Sequence, residues 1–348
     1  MNDQELKKYL QAKGNLQTEL FTKANKLREE YIGNDVHFRG IIEFSNHCEK
    51  NCDYCGIRSG NKKIERYCMS KEEIKECLDF IDQVKYGSVV LQSGELTSPA
   101  AKKFLLEVVQ LINQEYPEMG ITLSCGELDS RFLKELKEAG AHRYLLRIET
   151  SNPKLYEKIH PASHSLKNRI KTLENLKKLD YQVGCGNMVG IPGQTLDDLI
   201  TDLHFFQDLD FDMFGLGPYV IHEDTPLGNS KNKKWWVANK EEIFNTTLNF
   251  IALLRILIPT ANIATATALD VFKPQGRVWA LKAGANIIMP SVTPQKYRDK
   301  YLLYQDKPCV DEDPTDCIDC TIEKVKMARL NPVLGKQGNS LHYKNRHG

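Results

Sequence analysis

Short apolar runs alternate with longer amphipathic stretches from residue 41 to residue 290. Apolar residues that recur every three or four positions predict helices, and short runs rich in β-branched residues predict buried strands. The predicted strands are Ile41–Ser45, Ser88–Ser93, Ile121–Cys125, Arg143–Glu149, Gln182–Val189, Met213–Tyr219, Ile263–Ala268 and Ala285–Met289. The predicted helices between them are Ser70–Val84, Ala100–Glu115, Ser130–Ala139, Leu166–Leu179, Thr195–Leu209, Lys240–Leu257 and Val271–Ala283. This alternation predicts an α/β fold, and its eight strands predict a complete (β/α)8 barrel of the TIM type.

The same pattern divides the chain into an N-terminal helical extension (residues 1–40), the barrel (residues 41–290) and a C-terminal extension (residues 291–348). The Lys-rich stretch Asn229–Trp236 predicts a surface loop, and the polar tail from Asn331 predicts a fraying end. Functional residues are expected at the carboxyl ends of the strands, where barrels of this kind carry their chemistry.

The charges of this 348-residue chain nearly cancel, since 47 Lys and Arg stand against 46 Asp and Glu. No overall field would therefore attract nucleic acid or a membrane surface. The sequence shows no apolar run of about 18 residues and no signal peptide. A cytoplasmic location is expected.

Ten cysteines change this picture, because reduced thiols in a cytosolic chain point to metal binding rather than disulfides. Six of them lie in two tight groups. Free cysteine otherwise behaves as a small buried apolar residue. That is the expectation for the remaining four, Cys68, Cys77, Cys125 and Cys185.

The first group, Cys48, Cys52 and Cys55, has the spacing C-x3-C-x2-C directly after the first predicted strand. Three thiolates on one loop can ligate three irons of a [4Fe–4S] cluster. The fourth iron then keeps an open coordination position, as catalytic metals do. The alternative is a structural zinc site with His47 as fourth ligand, although adjacent residues do not easily reach one metal.

The second group, Cys309, Cys317 and Cys320, has the spacing C-x7-C-x2-C and follows the last predicted strand. Reduced thiols so close together predict a metal site with three good ligands, outside the barrel and away from its mouth. The residues themselves leave an iron–sulfur cluster, zinc or no metal at all as possibilities.

Three strand ends carry further candidates. The second strand ends in Ser93-Gly94-Glu95, and the fourth places Arg147 and Glu149 in an otherwise apolar run, where opposite charges are costly unless paired or liganded. Gly190 and Gly193, after the fifth strand, permit a tight turn and close backbone approach.

The cysteine loop, with Tyr54 before its last cysteine, resembles the radical S-adenosylmethionine (SAM) superfamily. The resemblance implies a [4Fe–4S] cluster that binds SAM and cleaves it reductively to a 5′-deoxyadenosyl radical. Glu95 then suits the SAM ammonium, Glu149 the ribose, Arg169 the carboxylate and Ile191 the adenine. The full set of implied SAM contacts is Tyr54, Ser93, Gly94, Glu95, Glu149, Arg169, Met188, Gly190, Ile191 and Tyr301.

Nearly the whole chain resembles the [FeFe]-hydrogenase maturase family HydE, most closely in Ile41–Asn46, Leu91–Glu95, Ala139–Arg147, Asp224–Leu227 and Gly284–Pro290. The resemblance implies a cysteine-ligated Fe(CO)2(CN) substrate whose carboxylate Arg147 grips. The substrate cavity that it implies is lined by Gln92, Thr122, Arg147, Met213, Thr267, Met289 and Tyr304. Ile148 and Ala266 depart from the imidazole and the threonine expected at their positions.

The resemblance also implies partners: HydG as the source of the precursor, HydF as the acceptor scaffold, and a low-potential electron donor. It implies that the second cluster, of the [2Fe–2S] or [4Fe–4S] type, is dispensable. Biotin synthase and methylornithine synthase are broader relatives, so an amino-acid mutase or a sulfur-insertion enzyme is the alternative. A non-enzymatic iron–sulfur carrier is a third possibility, but it would not need the SAM-binding positions.

Overall fold

The computed structural model describes residues 1–347, apart from the side chain of Asp316. Its strands are β1 (Asp35–Ser45), β2 (Ser88–Ser93), β3 (Gly120–Ser124), β4 (Arg143–Leu145), β5 (Gln182–Cys185), β6 (Met188–Val189), β7 (Met213–Phe214), β8 (Gly217–Pro218), β9 (Asn262–Ile263), β10 (Ile287–Ile288) and β11 (Asn331–Val333). Of the predicted C-terminal extension, Gly348 lies outside the described residues.

Helices follow or precede most of these strands. They are α1 (Asp3–Leu10), α2 (Gly14–Ile32), α3 (Lys71–Gln83), α4 (Pro99–Glu115), α5 (Ser130–Glu138), α6 (Pro153–Ile159), α7 (Leu166–Lys178), α8 (Leu196–Asp208), α9 (Ser230–Leu257), α10 (Gly276–Lys282), α11 (Gln295–Arg298), α12 (Asp316–Met327) and α13 (Leu341–His347). Two 3-10 turns lie at Pro226–Gly228 and Thr267–Val271. Among the described residues, no helix is long and apolar enough to cross a membrane.

Parallel strands form the central sheet, in the order β10, β1, β2, β3, β4, β5, β7, β9. A parallel bridge joins Ala264, just after β9, to Ile287 of β10, which are the two ends of this order. β11 adds to β1 in parallel, and β6 pairs with β8. The predicted α/β class with parallel strands is thus confirmed.

The predicted fifth and sixth strands are each interrupted, as β5 and β6 and as β7 and β8. The interruption lies where Gly186 and Gly215 approach each other closely. A Cβ on Gly186 would be 2.1 Å from the carbonyl oxygen of Gly215. The register is the same on both sides, since Cys185 pairs with Phe214 and Met188 with Gly217. The amides of Gly215 and Gly217 still donate to the carbonyls of Cys185 and Asn187 across the interruption.

Local signals in the sequence explain several helix starts. Ser70 caps α3, because its hydroxyl accepts from the Glu73 amide and the Glu73 carboxylate accepts from the Ser70 amide. This reciprocal arrangement satisfies two backbone donors that a helix start leaves free. Asp129 caps α5 and Asn152 caps α6 with one-way bonds, in which only the side chain of the cap residue accepts from amides of the first turn.

Three expectations about the chain's organisation are wrong. β1 starts at Asp35, so the predicted boundary at residue 40 falls inside it; polar His37 and Arg39 conceal the alternation of buried Val36 and Phe38. Asn229–Trp236 is mostly the first part of α9, which Asn229 caps, rather than a loop. Trp236 is buried, and its Nε1 donates to the Tyr219 carbonyl at 2.8 Å.

The third concerns the C-terminal tail, which does not fray. It runs under the amino ends of the strands, where buried Arg143 donates to the Gln337 carbonyl (2.9 Å) and to Oδ1 of Asn339 (2.8 Å). Arg39, also buried, donates to the Gly338 carbonyl at 3.1 Å. Burial and the nearby Arg39 lower the pKa of Arg143. Burial removes both guanidinium groups from water, and the tail supplies the hydrogen-bond acceptors that water would otherwise provide.

We predict that Asn339→Ala destabilises the fold, because Asn339 Oδ1 also accepts from Gln182. Leaving a buried donor unsatisfied costs about 1–3 kcal/mol, more when it is charged. Denaturant unfolding of the cluster-free protein would measure this loss. Lys344→Ala, at an exposed position of α13, is the control and should leave the unfolding midpoint unchanged. Equal stability of the two variants would show that the tail does not anchor Arg143.

Candidate active site

A cavity of about 350 Å³ lies at the carboxyl ends of the strands, within the usual size of ligand sites. It is enclosed by the loops after β1, β2 and β4 and by the segment after β10. The predicted residues that line it are Cys48, Cys52, Tyr54, Cys55, Gln92, Ser93, Gly94, Glu95, Arg147, Glu149, Arg169, Met188, Thr267, Met289, Tyr301 and Tyr304.

Four residues predicted to contact SAM or the substrate do not line this cavity. Thr122 pairs in register with Arg143, the first residue of β4, whereas Arg147 follows the end of that strand. Met213 pairs in register with Gly184, and its sulfur accepts from buried Arg39 at 3.2 Å. Gly190 packs against Ile243, and Ile191 is buried in a separate apolar cluster that includes Met188.

The cysteine loop is held tightly against the end of β2. The Glu95 amide lies 3.3 Å from the sulfur of Cys48 and donates to it. Gly94 packs so closely that a Cβ there would be 2.2 Å from the His47 carbonyl oxygen and 2.7 Å from Cys48 Cβ. Burial raises the pKa of all three thiols, that of Cys52 to about 12. A metal must therefore displace protons when it binds.

The zinc alternative does not fit this arrangement. Three thiolates on one zinc, at about 2.3 Å each, would lie about 3.8 Å apart. Among the described residues, two groups have their ligand atoms within 4.8 Å of one another, and the Cys48, Cys52 and Cys55 triad is not one of them. His47 is exposed. Wider spacing suits three separate irons of one cluster.

Buried ion pairs join the neighbouring loops. Arg169 Nη1 lies 3.4 Å from Glu95, and its Nε lies 3.1 Å from Glu127. Lys50 of the cysteine loop lies 3.0 Å from Glu95. Burial alone would lower the pKa of Arg169, but Glu95, Tyr156 and Glu127 raise it above its usual value. These groups form a charged wall suited to a zwitterionic ligand.

Arg147 and Glu149 pair with each other across the cavity wall. Nη2 of Arg147 donates to Glu149 Oε2 at 2.7 Å and to the Asn187 carbonyl at 2.9 Å. Glu149 has φ of +61°, and a non-glycine residue held in an unfavourable conformation costs about 1–3 kcal/mol. Strain of this kind persists where the surroundings hold the residue, and it is common at ligand sites.

Asp202 of α8 holds that strained turn from below. Its Oδ1 accepts from the amide and the hydroxyl of Ser151, both at 2.6 Å, and its Oδ2 accepts from Asn187 at 2.8 Å. Burial raises the pKa of Asp202 to about 6. Ser151, two positions after Glu149, and Asn187, its partner in a parallel bridge, are thus tied to one carboxylate that does not itself line the cavity.

Several residues of this region escaped the sequence analysis. Lys50 and Glu127 complete the pairs around Arg169, and Lys307 binds Glu43 of β1 at 2.6 Å. Lys50 lies between two of the cysteines, which was an available signal. Glu43 and Lys307 are 264 positions apart, so nothing local could link them.

The second cysteine group lies close to the cavity, contrary to expectation. Cys309, Cys317 and Cys320 line a small pocket that shares Glu43 and Lys307 with the main cavity. The segment after β10 folds back over the barrel mouth, which brings this pocket near. Ligand atoms of Cys309, Glu312 and Cys317 lie within 4.8 Å of one another. The pKa of Cys309 is lowered to about 7, first because of the hydrogen bond with the Cys317 thiol, which outweighs the opposite effect of burial.

The remaining cysteines separate into two kinds. Cys77, Cys125 and Cys185 are buried, as expected of small core residues. Cys68 is exposed instead, in the stretch between the cysteine loop and α3. Among the described residues, none of these four cysteines belongs to a cluster of side chains close enough to share a metal ion.

Comparison with known proteins decides between the families that share this geometry. The model of the radical SAM superfamily matches residues 42–206. The [FeFe] hydrogenase maturase subunit HydE of Thermotoga maritima is 45% identical over 315 residues, which are 90% of this chain and 86% of the relative. The chain belongs to the HydE family of radical SAM enzymes. It therefore uses a [4Fe–4S] cluster to cleave SAM, and its family acts in hydrogenase maturation.

More distant relatives share the architecture of this HydE family member. The 3-methylornithine synthase of Methanosarcina acetivorans is 31% identical over 83% of this chain and 79% of its own. A crystal structure of methylornithine synthase superposes with a TM-score of 0.80 at 26% identity, over 96% of this chain and 94% of that one. HydG from Carboxydothermus hydrogenoformans, at 20% identity and TM-score 0.75, covers 93% of this chain and 75% of its own and shares the fold.

The residues present fit both groups that the HydE family implies. The three thiols face one cavity, and the cradle that Gly94 leaves beside Cys48 would be filled by any side chain. Carboxylates and two guanidinium groups line the same cavity, and they are opposite in charge to the amino and carboxylate groups of SAM.

We predict that Gly94→Ala impairs assembly of the cluster, because the new methyl group would displace Cys48. Iron content after anaerobic reconstitution should fall to well under half of the wild-type value. Gly60→Ala is the matched control, since its methyl would meet only the Asn51 side chain. Full iron content in Gly94→Ala would show that the loop adapts without cost.

Proposed function

We propose that this chain is a maturase that acts, through the 5′-deoxyadenosyl radical, on a cysteine-ligated Fe(CO)2(CN) precursor of the hydrogenase diiron site. HydG would supply the precursor and HydF would receive the product. The observation that carries the proposal is a guanidinium, Arg147, at the wall of a cavity that also contains the cysteine loop. The 45% identity to a HydE protein supports the pathway.

Cys48, Cys52 and Cys55 are proposed to hold three irons of the cluster. When cluster and SAM are bound, they supply the radical. Glu95, held by Lys50 and Arg169, would receive the SAM ammonium, and Arg169 the carboxylate. Tyr54, Ser93, Gly94, Met188, Gly190 and Tyr301 are the remaining proposed SAM contacts.

Glu149 would accept hydrogen bonds from the ribose, and its strained turn aims the carboxylate into the cavity. Ile191 is proposed to support the adenine from behind Met188, since both belong to one apolar cluster. Gln92, Thr267, Met289 and Tyr304 would bound the substrate space. Thr122 and Met213 remain proposed only as a deeper layer beneath it.

Arg147 retains donors for a substrate carboxylate. Its Nη2 is engaged by Glu149 and Asn187, whereas its Nε is buried and, among the described residues, has no hydrogen-bond partner. The side chain is 33% exposed, so solvent screening reduces the strength of any such bond. Arg147 is therefore proposed to bind the cysteine carboxylate.

A second iron–sulfur cluster is proposed at Cys309, Cys317 and Cys320, with Glu312 beside them. We also propose that the parallel sheet closes into a complete barrel, supported by the Ala264–Ile287 bridge and the hydrogen bond from Thr265 N to the Ile287 carbonyl at 2.9 Å. A cytoplasmic location is proposed from the reduced thiols.

The alternative function is the amino-acid rearrangement or sulfur insertion of the methylornithine and biotin synthase relatives. The TM-score of 0.80 to methylornithine synthase is the observation that supports this alternative. Assays for the formation of 3-methylornithine and of biotin, the products that name these relatives, would detect either reaction, and formation of one of them would replace the proposal.

The proposed chemistry is tested by replacing Cys48, Cys52 or Cys55 with Ala. Each change removes one thiolate that the cluster needs, so 5′-deoxyadenosine formation should vanish with dithionite as reductant. Cys317→Ala is the matched control and should retain most of it, because its thiol belongs to the second group. Undiminished product in any of the three variants would refute the cluster assignment.

Arg147→Ala tests the substrate. Losing a hydrogen bond to a charged group costs about 1.5–3 kcal/mol, which is roughly tenfold or more in affinity. The variant should bind SAM with nearly normal affinity but lose maturation of hydrogenase in the presence of HydG and HydF. Arg147→Lys should recover little, because an ammonium lacks the planar fork. Wild-type maturation by Arg147→Ala would contradict this substrate pose, and loss of SAM binding would place Arg147 in the cofactor site.

A further inference from the structure

A second large concavity lies on the outside of the barrel, between α6 and α7. Its volume is about 1110 Å³, and it shares no lining residue with the cavity of the candidate active site. Both helices and the segment between them form its walls, and His160 and His164 lie among its lining residues. Nothing in the proposed chemistry yet uses this groove.

The groove reaches the cysteine loop from behind. Nδ1 of His164 lies 3.8 Å from the sulfur of Cys52, and the Asp53 amide donates to the Ile159 carbonyl at 2.9 Å. His160 stacks on Tyr156 at 3.9 Å. The bonds of its ring nitrogens, to the Tyr156 carbonyl (3.0 Å) and to Tyr54 Oη (3.2 Å), leave neither nitrogen free. His164 is thus the ring with a nitrogen left for the Cys52 sulfur.

The helices that form the groove carry more positive than negative charge. Residues 153–178 contain six Lys and one Arg against two Glu, whereas the whole chain has a net charge of +1. Arg169 is buried in its own ion pairs and Lys177 lies 3.9 Å from Asp210, and Glu157 and Glu174 both line the groove. Lys167, Lys171 and Lys178 line the groove, and in the part of the chain that the structure describes they form no ion pair. Charges free of internal partners attract a surface of opposite sign and raise the rate of encounter.

We propose that the α6–α7 groove is the docking face for an acidic one-electron carrier, a small iron–sulfur or flavin protein, and that the electron enters past His164 and Cys52. One electron leaves the carrier, which is oxidised, and reduces the cluster at the cysteine loop; no bond to the protein forms or breaks. This inference rests on the proposed function, because only reductive SAM cleavage requires such a donor.

Charge reversal tests the docking face. We would compare Lys167→Glu/Lys171→Glu with Lys231→Glu/Lys234→Glu, a matched pair of exposed lysines on α9 that, within the described chain, also lack ion pairs. 5′-Deoxyadenosine formation would be measured with dithionite and with a reduced acidic [4Fe–4S] ferredoxin. The groove variant should need at least tenfold more ferredoxin for half-maximal rate and lose most of the salt dependence. With dithionite, both variants should match the wild type.

Each other result is decisive. No product from the wild-type protein with dithionite would defeat the proposed function itself. Product with dithionite but none with ferredoxin would overturn the acidic carrier. An unchanged ferredoxin requirement in the groove variant would overturn the docking face, and a raised requirement in the α9 variant would move it to that helix.

The entry route is tested at saturating ferredoxin. His164→Phe should slow reduction of the cluster without changing the ferredoxin concentration at half-maximal rate, since docking is intact. His164→Gln, which restores an N–H donor near Cys52, should recover part of the rate. Iron content, measured in both, shows that the cluster is retained. A wild-type rate in His164→Phe would exclude this route.

Discussion

The candidate site depends on the burial of Arg169 between Glu95 and Glu127. A buried guanidinium needs acceptors for its N–H groups, and for Arg169 these are two carboxylates, from the loops after β2 and β3. Lys50 extends the same pairs to the cysteine loop. These ion pairs therefore hold the three loops and α7 in fixed positions relative to one another. A zwitterionic ligand can replace one member of these ion pairs with its own charged group. Its binding then buries no additional net charge.

The barrel contains two layers of arginine with different partners. At the floor, Arg143 is satisfied by the chain's own tail, through the Gln337 carbonyl and the Asn339 side chain. Near the mouth, Arg147 shares only one of its nitrogens with Glu149 and Asn187. The two residues are four positions apart, Arg143 at the start of β4 and Arg147 just beyond its end. The lower one is structural because the tail covers it, and the upper one is open to a ligand.

Spacing in the sequence predicted the features that depend on neighbours along the chain. The capping of α3, the parallel α/β class and the gathering of Glu95, Arg147 and Glu149 at strand ends all follow from local pattern. Depth inside the barrel did not follow, because it depends on strand register, and Thr122 lies level with Arg143 rather than with the cavity.

Contacts between distant segments were equally hidden. The anchored tail, the Lys307–Glu43 pair and the hold of Asp202 on the turn at Glu149 join residues that no periodicity connects.

The central claim, that three cysteines leave one iron open for SAM, is tested most directly by electron–nuclear double resonance of the reduced protein. With SAM labelled at its amino nitrogen and its carboxylate oxygen, the account predicts hyperfine coupling of both nuclei to the cluster. Labelled SAM that binds without any such coupling would contradict it.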